Sequence, residues 1–126
     1  MNDSQLASAR AELAGALEAL DELATVVAEG AEAFRASADR RQRARYLWIV
    51  VGSRLKNYCQ LVGIARATGV LGQAIGFRHT LAYLPPSRVD DDIVWRTSTN
   101  DLHRLSEAVR ETLHALPVSP PAPSGS

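Results

Sequence analysis

Arg43–Gly63 reads RARYLWIVVGSRLKNYCQLVG, and the assignment of this stretch decides the fold. Its centre, Ile49-Val50-Val51, is β-branched, which favours a strand. A strand turns its side chains to alternate faces, and this segment does not alternate. Ala44, Leu47, Val51, Leu55, Tyr58 and Val62 recur instead at steps of three and four, the spacing of one helix face. Trp48 and Val50 widen that face. The length and the flanks agree, so the pattern predicts a helix over 39–62. Asp39 is the expected cap, and Gly63 is the expected stop.

Working outward, residues 4–36 read as a second long helix. Asp3 or Ser4 can cap it. Leu6, Leu13, Leu17, Leu20, Ala24, Val27, Ala31 and Phe34 make one apolar stripe. Gly30 either ends this helix early or only weakens it. Its length suits packing along another helix, in this chain or in a second copy. Residues 64–75 hold two glycines and little period, which reads as a loop with a short helix. Residues 74–84 form another short helix, or the end of one, stopped at Pro85. A last helix is expected over 90–115. Asp90, Asp91 and Asp92 sit in its first turn, where carboxylates complement the helix dipole. Ile93, Leu102, Leu105, Val109 and Leu116 are expected to face inward. No segment alternates convincingly and no repeat is visible. The expected fold is all-α, an up-and-down bundle of four to five helices. One domain spans 1–116, and the Pro/Ser-rich tail 117–126 is expected to be disordered.

Composition narrows the function. The chain has 126 residues, and 46% of them are hydrophobic, enough for one core. The net charge is zero, so no overall field draws nucleic acid or membrane. The lone cysteine, Cys59, excludes an internal disulfide and a cysteine-based metal site, and suits a reducing compartment. The start, MNDSQLASARAEL, is polar and unlike a signal peptide, and no apolar run is long enough for a membrane span. A cytoplasmic protein is expected. The charge is nonetheless sorted along the chain. Glu12–Glu32 holds six acids and no base, whereas Arg35–Arg66 holds eight bases and one acid, Asp39.

Several groups invite a chemical reading. Arg35, Arg40, Arg41, Arg43 and Arg45 crowd into eleven residues. Guanidinium groups pair well with phosphate, so this run could bind RNA, a nucleotide or an acidic partner. The simpler reading is a solvated helix start that pairs with the acidic first helix. His103 and His114 are three turns apart, too far to share a metal, and read as surface residues. Cys59 reads as a packed thiol, and Trp48 and Trp95 as core or interface anchors. Motifs of nucleotide-binding loops, zinc proteases and hydrolase elbows are missing. There remain Arg78, His79 and Tyr83. His79 and Tyr83 are four apart and share a helix face. Arg78 lies about 140° round the axis from Tyr83. Together they could hold a phosphate and move a proton. The plainer alternative is a surface arginine beside a partly buried tyrosine.

Here the sequence resembles a family. Gly76-Phe77-Arg78, Val89-Asp90-Asp91-Asp92-Ile93-Val94-Trp95 and Asn100-Asp101-Leu102 are similar to the C-terminal motifs of HepT-like HEPN proteins. RRQRARYLWIVVGSRLKNY is similar to that family's second helix. The family comprises small helical toxins encoded beside a minimal nucleotidyltransferase antitoxin. The resemblance covers about residues 10–116. It implies a homodimer with a metal-independent RNA-cleaving site in the cleft between protomers, and no cofactor. The family arginine falls on Arg78. The family histidine falls on Tyr83, its asparagine on His79, and its adenylylated tyrosine on Pro85. One residue is inserted before Val89. Catalysis around Arg78, His79 and Tyr83 therefore requires His79 to act from a different place on the helix. Alternatively, the chain is an inactive dimerisation module that partners the nucleotidyltransferase.

Overall fold

A computed structural model describes residues 1–85 and 90–117. Six helices occur among them: α1 (Asp3–Val27), α2 (Ala31–Ala36), α3 (Ala38–Leu61), α4 (Gly69–Tyr83), α5 (Asp91–Asn100) and α6 (Leu102–Ala115). The described residues contain no strand. The four long helices close a ring of contacts in which α1 meets α3, α3 meets α4, α4 meets α6, and α6 returns to α1. The short helices α2 and α5 pack together against α1 and α3.

The first helix runs shorter than the stripe suggested. Gly30 adopts φ +99°, and the chain turns there before α2 begins. Few non-glycine residues tolerate such a backbone. The turn returns Phe34 to the core, where it is 1% exposed and packs on Trp95 at 5.2 Å between ring centres. The buried stripe of α1 also differs in detail. Leu6, Ala9, Leu13, Ala16, Leu20 and Leu23 are buried, whereas Ala24 is exposed. Alanines at alternate steps let α3 approach closely, and the leucines between them fill the space.

Two caps correct the expected ones. Asn2, not Asp3 or Ser4, caps α1. Its side chain accepts from the Gln5 amide at 2.8 Å, and the Gln5 side chain accepts from the Asn2 amide at 3.0 Å. Ser37, not Asp39, caps α3 by accepting from the Arg40 amide at 3.2 Å. The predicted stop at Gly63 holds. Gly63 adopts φ +80°, the Ile64 amide donates to the Cys59 carbonyl at 2.8 Å, and the Gly63 amide donates to Gln60 at 3.4 Å. Those two bonds satisfy carbonyls that a helix end leaves open.

Between α3 and Tyr83 the chain forms one loop and one helix. The expected loop at 64–75 ends at Thr68, and the helix expected at 74–84 starts at Gly69. Gly69 and Gly72 mimic loop signals, but they serve a tight entry into α4. Gly69 adopts φ +64°, and a Cβ on Gly72 would sit 2.5 Å from the Ala67 carbonyl oxygen. The helix ends at Tyr83, ahead of Pro85 as expected.

The expected final helix is divided at Asp101 into α5 and α6. The Asp101 amide still donates to Thr97 at 3.0 Å, and the Leu105 amide donates to Asp101 at 2.9 Å. Side-chain hydroxyls bond to the helix just upstream of this break. Ser98 Oγ donates to the Val94 carbonyl at 2.7 Å, and Thr99 Oγ1 donates to Trp95 at 3.0 Å. Such hydroxyl bonds compete with the helix ladder and tilt it. Asp90 caps α5 by accepting from the Asp92 amide at 2.8 Å. Ile93, expected inward, is exposed, while Val94 is fully buried. Leu105, Val109 and Leu116 are buried as expected.

The core centres on Trp48, Leu47, Val51 and Leu55 of α3. Trp48 is 1% exposed, and its indole N–H donates to Ser98 Oγ at 2.8 Å. A buried indole N–H needs such an acceptor. Pro117, expected to open a disordered tail, is tied to α1, because Arg10 Nη2 donates to its carbonyl at 2.8 Å. The expectation for 118–126 falls outside the described residues, as does Val89 of the quoted motif.

Candidate functional site

Arg78 occupies the face of α4 that crosses α3. The crossing is close because α3 has a glycine there. A Cβ on Gly52 would lie 2.1 Å from Arg78 Cβ and 3.1 Å from the Ala74 carbonyl oxygen. Arg78 is half-buried, and its Nε donates to Ser53 Oγ at 3.1 Å. Among the described residues, no carboxylate pairs with it. A bond at Nε orients the guanidinium while its two terminal nitrogens keep their donors.

His79 and Tyr83 sit one turn apart on an adjoining face of α4. Their rings lie 4.4 Å apart at an interplanar angle of 40°. His79 is exposed, and Tyr83 is 74% exposed. The tyrosine is thus not the partly buried residue of the plainer sequence reading. Arg78 and the ring pair adjoin along one helix, about 100° apart per residue step.

The arginine run behaves differently. Arg40 pairs with Glu29, and Arg43 with Glu22. Arg41 Nε lies 3.3 Å from Asp91, and Arg35 Nε lies 3.6 Å from Asp92. Arg41 also donates to the Arg35 carbonyl. Arg43 further stacks its guanidinium over Tyr46, 5.9 Å from the ring centre. Further along α3, Arg54 approaches Glu12 at 3.5 Å. The pairs Glu29–Arg40, Glu22–Arg43 and Glu12–Arg54 descend one chain segment while climbing the other, so α1 and α3 run antiparallel. The sorted charges therefore meet across this packing. The aspartates of α5 extend the same pattern, pinning α2 and α3 as well as complementing their own helix dipole. Arg45 is half-buried on the same helix.

Other expected groups take the plainer role. His103 is exposed and faces Glu107 at 3.1 Å, and His114 is exposed. Among the described residues, no group of three or more His, Cys, Asp or Glu side chains is placed to hold a metal ion. Nor does any described helix have the length and apolarity to cross a membrane. Cys59 is buried, and burial pushes its thiol pKa upward. Burial also raises Tyr58, with the neighbouring Cys59 charge adding to the effect.

Two site residues escaped the sequence reading. Ser53 orients Arg78, and Gly52 makes that crossing possible. Their signal was a Gly-Ser pair inside an apolar helix, which marks close backbone approach. The fold and site together describe a small helical protein that displays a positioned arginine beside an imidazole and a phenol. No family model, no curated protein and no solved structure matches this chain.

Proposed function

We propose that this chain is a HepT-like component of a toxin–antitoxin system, binding RNA in the cleft of a homodimer around Arg78. The observation carrying this reading is the contrast among its arginines. Arg35, Arg40, Arg41 and Arg43 pair with carboxylates of their own chain. Arg78 is oriented by Ser53 and keeps its charge for a ligand. A fixed fork of donors suits a phosphodiester.

Metal-independent cleavage requires one group to take the 2′-hydroxyl proton and another to protonate the leaving 5′-oxygen. The 2′-oxygen attacks phosphorus, the bond to the 5′-oxygen breaks, and a 2′,3′-cyclic phosphate and a 5′-hydroxyl result. Imidazole is the side chain most often used to take and return a proton in such a step. His79 is therefore the proton carrier, and a dimer supplies two copies of it. Tyr83 lies against that imidazole, with its ring tilted 40° to it. Arg78 compensates charge building on the phosphoryl oxygens. The partner protein would be a minimal nucleotidyltransferase.

Labelled RNA incubated with the wild type in a chelator tests this reading. Cleavage is expected, with Arg78→Ala and His79→Ala each reducing it by about 100-fold. Absence of both binding and cleavage in the wild type overturns the RNA reading. One feature favours a second reading, an inactive dimerisation module. The position of the family histidine carries Tyr83, which is 74% exposed. On that reading the wild type dimerises and co-purifies with its nucleotidyltransferase but leaves RNA intact, and Tyr83→His restores cleavage.

A further inference from the structure

The ion-pair ladder between α1 and α3 stops at Glu12, yet the bases of the chain continue beyond it. Asn57, the next α3 side chain on that face, also reaches Glu12 at 3.5 Å. Past this point a cavity opens between the end of α3, the 62–68 loop and α4. It has a volume of about 720 Å³, within the roughly 300–1,000 Å³ range of small-molecule sites. Lys56, Gln60, Arg66 and His79 contribute its polar side chains, and no carboxylate lines it. Ile64 and Ile75 give it an apolar wall. Among the described residues, neither Lys56 nor Arg66 has a carboxylate partner. Nor does any acceptor among them take the backbone N–H of Ala65, Arg66 or Ala67. A second cavity, near Trp48 and Phe77, is different, because its Arg104 is neutralised by Asp101 at 2.9 Å.

We propose that the cavity between α3 and α4 is a binding site for a small phosphomonoester with an apolar body. Lys56 and Arg66 meet the phosphate as charge-assisted donors, with Gln60 as a neutral third. The loop amides add donors of the kind that cradle anions. Ile64 and Ile75 cover the apolar body, and the imidazole of His79 offers it a ring face. Both halves of the ligand are needed. A bare anion leaves the apolar wall wet, and a neutral aromatic leaves two cations without partners. Such a ligand is either a free metabolite or the 5′-phosphorylated end of an RNA. The site shares His79 with the RNA-cleavage reading but lacks Arg78 and Tyr83, and its phosphate contacts rest on Lys56 and Arg66.

Amide NMR titration of the full chain tests the site with phenyl phosphate, inorganic phosphate and phenol as probes. Phenyl phosphate is expected to shift the amides of Gly63–Ala67, Gly72 and Gly76, and to bind at least about tenfold more tightly than either of the other two. A Lys56→Ala/Arg66→Ala double variant is expected to weaken phenyl phosphate by about tenfold or more. Both side chains are exposed, so thermal melting of the variant should match the wild type. Arg110→Ala, which removes a cation on α6, should leave binding unchanged. A 5′-phosphorylated trinucleotide compared with its 5′-hydroxyl form identifies the source. Preference for the phosphorylated form points to an RNA end, and equal weakness of both points to a free metabolite. Absence of shifts with phenyl phosphate at millimolar concentration overturns the proposal. So does binding that survives the double variant. RNA cleavage measured on that double variant separates a failed pocket from a failed Arg78 site.

Discussion

Replacing Gly52 with alanine tests the crossing that positions Arg78. The new Cβ would fall 2.1 Å from Arg78 Cβ and 2.7 Å from its Cγ. Carbon atoms in contact prefer about 3.5–4.0 Å. The two helices must therefore separate by well over an ångström, or α4 must rotate. Arg78 Cβ is fixed to backbone and cannot swing aside as a side-chain tip can. Two effects oppose each other. Alanine in a helix interior is favoured over glycine by about 1 kcal/mol. Overpacking of this kind costs about 1–3 kcal/mol and sometimes more. The overlap involves two atoms anchored to backbone, with the Ala74 carbonyl at 3.1 Å behind them, so the cost lies at the upper end. The net expectation is a loss of about 1–2 kcal/mol, or roughly 4–10 °C in Tm for a domain of this size.

Gly76→Ala provides the matched control. Gly76 lies on the exposed side of the same α4, and a Cβ there meets nothing within 4 Å. That variant should gain about 0.5–1 kcal/mol from helix propensity alone. Calorimetry of both variants gives the comparison. Gly52→Ala should also release Arg78 from Ser53 and weaken RNA binding beyond what its lost stability explains. A Gly52→Ala protein that melts at or above the wild-type temperature would refute the close crossing. The placement of Arg78 built on it would fall as well.

Two further outcomes follow from the core. Ser98→Ala strips the acceptor from the buried Trp48 indole and should destabilise by about 1–3 kcal/mol, read from the urea midpoint; a change below about 0.5 kcal/mol would mean that the indole finds another partner. Burial raises the pKa values of Cys59 and Tyr58 above their ordinary 9.0 and 10.0, so the folded state favours the protonated forms. Their contribution is complete below about pH 9 and is lost as pH rises through the raised folded values. Urea midpoints should hold steady from pH 7 to about 9 and then fall. Cys59→Ala should lessen the fall, and a variant that follows the wild type throughout would remove Cys59 from the explanation.

The long elements of this fold were legible because their residues report only on neighbours three and four positions away. Leu47, Val51, Leu55 and Tyr58 describe one face of α3, and all four are buried. Gly63 was legible for the same reason, since a helix stop is a local event. The misplaced boundaries share a cause. At Ser98 and Thr99 the hydroxyls bond to their own helix, and the break that follows at Asp101 leaves the apolar spacing of 90–115 almost intact. At Gly69 and Gly72 the opposite occurs, because residues that normally signal a loop open a helix. In neither case does the apolar pattern record what the backbone does.

The candidate site was legible as residue types and illegible as partnerships. Arg40, Arg43 and Arg78 carry the same group, and nothing within a short window separates them. What separates them is how α3 packs against α1 on one side and α4 on the other. Glu22 and Glu29 lie across from Arg43 and Arg40, whereas Ser53, a neutral acceptor, meets Arg78. The charge-sorted halves of the chain therefore do more than lend solubility. Exposed ion pairs contribute only about 0–1 kcal/mol each, too little to define the bundle. Their larger consequence is selective. Glu22, Glu29, Asp91 and Asp92 neutralise Arg43, Arg40, Arg41 and Arg35, whereas Lys56, Arg66 and Arg78 near the α3–α4 junction meet no carboxylate among the described residues. A protein of zero net charge can thus still attract an anion locally, since local pairing decides where it is drawn. Moving one acid, as in Gln60→Glu, would extend the ladder past Glu12 and place a carboxylate beside Lys56 and Arg66. That change should abolish phosphate binding in the cavity while leaving Arg78 and its bond to Ser53 in place.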